Sequence, residues 1–135
     1  MKRLNQNSSE IFVKLIGLMK SEQHLKIDNS QGSFMALSIE KLYDVSIVGR
    51  DMTCYSLSHY FSQNGDLVPD PDMTFFVHNL DSSFIYPATF QDQFSYREGL
   101  YQDGDKWYIN KKEQADQTSF ANMWLKNIKE QQDIQ

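Results

Sequence analysis

The fold turns on residues 52–66, Met52-Thr53-Cys54-Tyr55-Ser56-Leu57-Ser58-His59-Tyr60-Phe61-Ser62-Gln63-Asn64-Gly65-Asp66. Successive side chains of a strand point to opposite faces, so residues 52–62 divide into two sets. One is Cys54, Ser56, Ser58 and Tyr60; the other is Tyr55, Leu57, His59 and Phe61. The second set is the more apolar and is expected to face the core. Gln63-Asn64-Gly65-Asp66 ends the run with turn residues. A loop is expected from there through Pro69 and Pro71, because proline denies a ladder its N–H donor.

The same period continues on both sides. Upstream, His24–Ile27 is a short strand candidate and Asp28-Asn29-Ser30-Gln31-Gly32 a turn cluster. Met35, Leu37 and Ile39 then alternate with polar neighbours, and Tyr43–Val48 continues extended up to Gly49. Downstream, Met73–His78 and Phe84–Phe90 are strand candidates, with Pro87 marking an edge or a bulge in the latter. Tyr96–Gln102 and Lys106–Ile109 flank Asp103-Gly104, a hairpin signal. Two helical patterns bracket the strands. Ile11, Phe12, Leu15, Ile16 and Met19 form a stripe over residues 9–22, with Ser8 or Ser9 as N-cap. Phe120, Met123, Trp124 and Ile128 form another over about 111–132. The layout predicts an α+β fold: an antiparallel β-meander sheet with the N-terminal and C-terminal helices packed on one face. Hairpin-length connections exclude a parallel βαβ sheet.

At 135 residues the chain has the length of one domain, 1–135, with residues 1–8 expected to fray. Its 40% hydrophobic and 23% charged residues exclude a wholly disordered or coiled-coil chain. No apolar run is long enough to cross a bilayer. The single cysteine, Cys54, and the lack of a secretory signal pattern suit a cytoplasmic protein. The net charge of −5 is unevenly spread. Residues 28–105 hold twelve carboxylates against three basic side chains, a balance of −9. Binding to nucleic acid needs lysine and arginine to displace phosphate counterions, and this region lacks them. An acidic surface attracts basic partners instead.

Chemical motifs are sparse. The six glycines are too dispersed for a phosphate loop. His24, His59 and His78 lack the partner spacing of a zinc site. Cys54 and His59 lie five apart on one strand and point to opposite faces, which rules out a local thiol–imidazole pair. Asp66, Asp70 and Asp72 have carboxylates at a spacing that could ligate calcium. They lack the glycine and closing glutamate of an EF-hand, and turn chemistry accounts for them. No catalytic residue, cofactor or metal is predicted. The aromatic residues between Phe75 and Tyr108 are interleaved with Asp and Gln rather than with cations. They serve as core, or as a protein-binding face.

Three stretches carry a family likeness. They are Ser56-Leu57-Ser58-His59-Tyr60-Phe61-Ser62-Gln63-Asn64-Gly65-Asp66-Leu67, Asp70-Pro71-Asp72-Met73-Thr74-Phe75, and Ser119-Phe120-Ala121-Asn122-Met123-Trp124-Leu125-Lys126-Asn127-Ile128; Glu98-Gly99-Leu100-Tyr101-Gln102 is similar to the family's Gly-Ile-Tyr-Gln before the hairpin. Over residues 35–130 the chain resembles a family of small uncharacterised proteins carried on bacterial conjugative elements and prophages. Some of these are suspected anti-CRISPR proteins. The resemblance implies a non-catalytic inhibitor of a type II CRISPR RNA-guided nuclease. On that reading the acidic residues of the loop and its flanks, Asp66, Asp70, Asp72 and Asp81, are expected to face solvent close to aromatic side chains and to meet a basic surface of the host nuclease. The alternative is a structural or regulatory accessory protein of the element, including a homodimer. Neither reading involves a membrane or direct contact with nucleic acid.

Overall fold

A computed structural model describes all residues, 1–135. The chain runs α1 (Gln6–Leu18), β1 (His24–Ile27), β2 (Leu37–Ile47), β3 (Arg50–Gln63), β4 (Asp66–His78) and β5 (Ile85–Gln91). It continues β6 (Tyr96–Glu98), β7 (Leu100–Asp103), β8 (Lys106–Ile109) and α2 (Lys111–Gln131). Strands β1 to β6 form one antiparallel sheet in sequence order, and β7–β8 form a separate hairpin. The α+β meander is therefore the fold, with both helices in contact with each other and with the sheet.

The helices close one face. Leu25, Ile39, Leu57, Met73, Phe75, Ile85 and Phe90 point at them from successive strands, and Phe12, Leu15, Trp124, Leu125 and Ile128 fill the space above. Phe12 packs on Phe75 with ring centroids 4.8 Å apart. The stripe on α2 is rotated from the expected one. Met123 is 52% exposed, whereas Ala121 and Leu125 are buried beside Trp124 and Ile128. Counting apolar residues alone missed this, because part of the inward face is polar: Gln114, Gln117 and Thr118 are all buried.

Gln114 also ties the N-terminal residues to the fold. Its Oε1 accepts from the Lys2 backbone N–H at 2.7 Å, and its Nε2 donates to the Lys2 carbonyl at 2.6 Å. Leu4, 2% exposed, donates its N–H to the Ile85 carbonyl at 2.8 Å. Helix α1 starts at Gln6, capped by Asn5, whose side chain accepts from the Ser8 N–H. Ser8 and Ser9, expected as caps, are buried inside the helix.

The loop expected after residue 63 is a strand. Asn64 and Gly65, with φ of 53° and 86°, form a two-residue turn, and β4 leaves it directly. Pro69 and Pro71 are tolerated because β4 has no outer neighbour there: its pairing with β5 begins at Asp72 opposite Gln91. On the other side, β2 reaches β3 only as far as His59. Residues 60–71 thus form a two-stranded arm beyond the sheet, with a register shift where Ser58–Tyr60 passes Pro69–Asp72. The bulge signalled by Pro87 is present: Phe75 faces Pro87 and Thr74 faces Thr89, leaving Ala88 extra.

Gly99 divides the expected strand 96–102 into β6 and β7. A Cβ there would lie 2.9 Å from the Gln114 Cα, so only glycine lets α2 pass. Past Gly99 the chain leaves the sheet. The β7–β8 hairpin packs on the second face, where Trp107 meets Phe76 edge-on at 5.4 Å. Together with Ile47, Met52, Cys54, Tyr86 and Ala88 these residues form a smaller core.

Candidate functional site: the open half of the sheet

The β7–β8 hairpin covers one end of the second face, and no element covers the other. The ladders fix what lies on that open half. One row across the sheet is His24, Glu40, Ser56, Thr74, Thr89 and Glu98; the next is Lys26, Ser38, Ser58, Asp72, Gln91 and Tyr96. Tyr43, opposite Cys54, stands at the boundary with the smaller core. Tyr60 stands at the base of the arm. The floor is therefore small and polar, the walls are tyrosine, and carboxylates sit on β2, β4 and β6. A cleft of about 190 Å³ runs between Leu42, Tyr43, Cys54, Asp72, Thr74, Thr89, Gln91 and Tyr96.

Titratable groups here are shifted, mainly by burial. The Asp72 carboxyl is pushed above its usual range by burial and by the nearby Glu40 charge, against the opposing effect of the Tyr60 hydroxyl, which donates to Oδ2 at 2.5 Å. Burial and that same bond raise Tyr60 to about 12. Burial raises Tyr43, and Tyr96 through burial and then Glu98. Burial lifts the Cys54 thiol to about 11, which keeps it protonated and non-nucleophilic at neutral pH.

The four aspartates expected to bind a partner are not one patch. Asp66 lies exposed at the tip of the arm and Asp70 exposed along it. Asp72 is half-buried in the cleft instead of facing solvent. Asp81 lies in the β4–β5 turn, beyond the opposite end of β4, about 40 Å from Asp66 at roughly 3.3 Å per residue. There it accepts from the Ser83 N–H and hydroxyl, which hold its carboxyl below the usual range. Asp66, Asp70 and Asp72 do not converge, and no three His, Cys, Asp or Glu side chains do. His59 faces the helices, 5% exposed and edge-on to Trp124 at 5.4 Å; its Nε2 has no partner, and burial lowers its pKa. His78 accepts the Leu80 N–H at Nδ1.

Glu40, Glu98, Tyr43 and Tyr96 were not singled out from the sequence. The alternation in 52–62 did separate Ser56, Ser58 and Tyr60 from the core set. Only strand register could bring β2 and β6 residues to the same place.

The architecture defines a small α+β domain whose distinguishing surface is an acidic, tyrosine-walled half-sheet. The chain belongs to the family described as a domain of unknown function, DUF6908, which matches residues 6–134. No curated protein and no solved structure matches it. No helix is long and apolar enough to cross a membrane.

Proposed function

We propose that the chain is a non-catalytic protein-binding factor of a mobile genetic element, and that it docks a basic surface of its partner. The observation that carries this is the asymmetry of the sheet: helices seal one face, while the other leaves Glu40, Asp72 and Glu98 without a cation across β2 to β6 at its open end. Asp66 and Asp70 extend the negative charge along the arm. The likeness of residues 59–75 and 120–128 to proteins of conjugative elements supplies the biological setting. Within it, the partner is a type II CRISPR effector, whose channel for nucleic acid is basic. Carboxylates there compete with phosphate for the same lysines and arginines.

The test is cleavage of target DNA by such an effector with and without the purified protein, together with binding over a salt series. Inhibition is expected, with association slowing as salt rises. The combined Asp66→Asn, Asp70→Asn, Asp72→Asn variant, once shown to be folded, should bind more slowly with a flatter salt dependence. Unhindered cleavage with no binding removes the inhibitor reading and leaves an accessory protein of the element. A second surface favours that alternative: Val48 is 90% exposed beside an apolar cleft of Met1, Ile47, Leu100 and Trp107, an area that a homodimer would cover.

A further inference from the structure

We infer that the open half-sheet receives an extended, arginine-bearing segment of the partner protein, a step that rests on the protein-binding reading above and names what the face recognises. Three observations point there. The first is charge without compensation. Asp72 is half-buried, its Oδ2 takes the Tyr60 hydroxyl, and its Oδ1 has no donor in the chain. Glu40 adds a second negative charge close by, and Lys26 on the β1 edge is the nearest cation in these rows. Buried carboxylates are ordinarily paired.

The second is Ser58. It is 4% exposed, lies between Ser38 and Asp72 in its row, and its hydroxyl has no hydrogen-bond partner in the chain. It is not among the atoms sealed from solvent, which are His59 Nε2 and Gln117 Oε1. The hydroxyl therefore reaches the surface on the open face, on the strand position directly opposite Asp72. Ser58 and Asp72, cross-strand neighbours on β3 and β4, offer two oxygen acceptors on the same face as Tyr43 and Tyr96. A guanidinium fits them better than an ammonium: its planar fork donates to both oxygens while its face stacks on tyrosine.

The third is spacing. Glu40 and Glu98 share one row and Asp72 lies in the next, so each step spans about two strand spacings across and two residues along, roughly 12 Å. An extended segment covers that in about three to four residues at roughly 3.3 Å each. Leu42 and Tyr96, both exposed, add apolar area between the charges that a small polyamine would leave uncovered.

The probe is a capped heptapeptide with arginine at its first, fourth and seventh residues and alanine between, titrated into the full-length protein with amide chemical shifts as the readout. Shifts are expected at Ser38, Ser56, Ser58, Thr74 and Thr89. The lysine version and spermine should bind at least about threefold more weakly, since neither presents a planar fork. The folded Glu40→Gln, Asp72→Asn variant should lose about tenfold or more in affinity, because charge-assisted bonds are the strong ones. Shifts centred elsewhere, equal binding of lysine peptide or spermine, or unchanged affinity of the variant would each overturn the inference. The same variant assayed against the intact effector separates the two proposals. If the wild-type protein binds the effector but not the peptide, or the variant binds the effector as well as wild type does, the inference falls and the protein-binding reading stands. If the peptide binds this face and the effector does not, the inference stands and the named partner falls.

Discussion

The two faces of the sheet come from the same strands and have opposite fates. Toward the helices, Ile39, Leu57, Met73, Phe75 and Ile85 lie in consecutive strands and are fully buried. One residue along, the outward side chains are Glu40, Ser56, Ser58, Thr74 and Asp72. The difference follows from what each side offers. The first face presents contiguous apolar area, and two amphipathic helices gain by covering it. The second offers small hydroxyls and carboxylates, which lose water on burial and give little in return. Only the end where Met52, Cys54, Phe76 and Tyr86 restore apolar surface attracts the β7–β8 hairpin. The open half is thus the part of the sheet that the chain has no apolar reason to cover, and its chemistry remains available to another molecule.

The largest effect that would test this contrast is on the closed side. Trp124 packs between Phe120 and His59 and is buried. Trp124→Ala should destabilise the protein by about 3–5 kcal/mol in urea melts, the usual range for deleting a buried aromatic ring. Ser56→Ala on the open side should change stability little. Equal losses from the two would erase the distinction between the faces.

A smaller effect comes from protons on the closed side. His59 is held neutral by burial, which outweighs the opposing pull of the Asp70 carboxylate. The unfolded chain takes up a proton at this position below about pH 6.5, and the folded chain resists it. The unfolded state then binds more protons, so stability is full above that pH and falls as pH drops below it. His59→Phe should remove this part of the acid sensitivity, read as a smaller drop in melting temperature between pH 7 and pH 5. An unchanged drop would mean that His59 accepts its proton without cost in the folded protein.

How much of this could be read in advance follows the same divide. The closed face was legible because alternation in 52–62 and helical spacing in 9–22 and 111–132 are local signals. One departure on that side has a local cause. Asn64-Gly65 makes a two-residue hairpin turn where a loop is expected, and the prolines after it are harmless because β4 is an edge at that point. Nothing nearby in sequence shows that Gln114, 112 residues on, holds Lys2. The open site was legible only in fragments. Asp72 was singled out, but its companions Glu40 and Glu98 come from β2 and β6. Grouping Asp72 with Asp66, Asp70 and Asp81 followed sequence proximity, whereas the ladder places Asp81 at the far end.

The smallest expected effect is on the open side and has the opposite sign. Asp72 has its carboxyl raised, first by burial and then by Glu40, with the Tyr60 hydroxyl only partly offsetting this. The folded state therefore holds the proton to higher pH than the unfolded chain does. Below the unfolded value of about 3.9 both states are protonated and the stabilising contribution is complete; it is lost as pH rises through the folded value. At neutral pH the charged Asp72 is a net cost within the fold. Asp72→Asn keeps an oxygen to accept from Tyr60 and removes the charge. It should raise the melting temperature slightly at pH 7 and lose that advantage near pH 4, where the wild-type carboxyl takes up its proton. A residue kept solely for the fold would behave in the reverse way, losing stability when neutralised. A lower melting temperature at pH 7 for a variant that retains the Tyr60 contact would show that the fold itself depends on the Asp72 charge, and that charge would no longer point to a cation from outside.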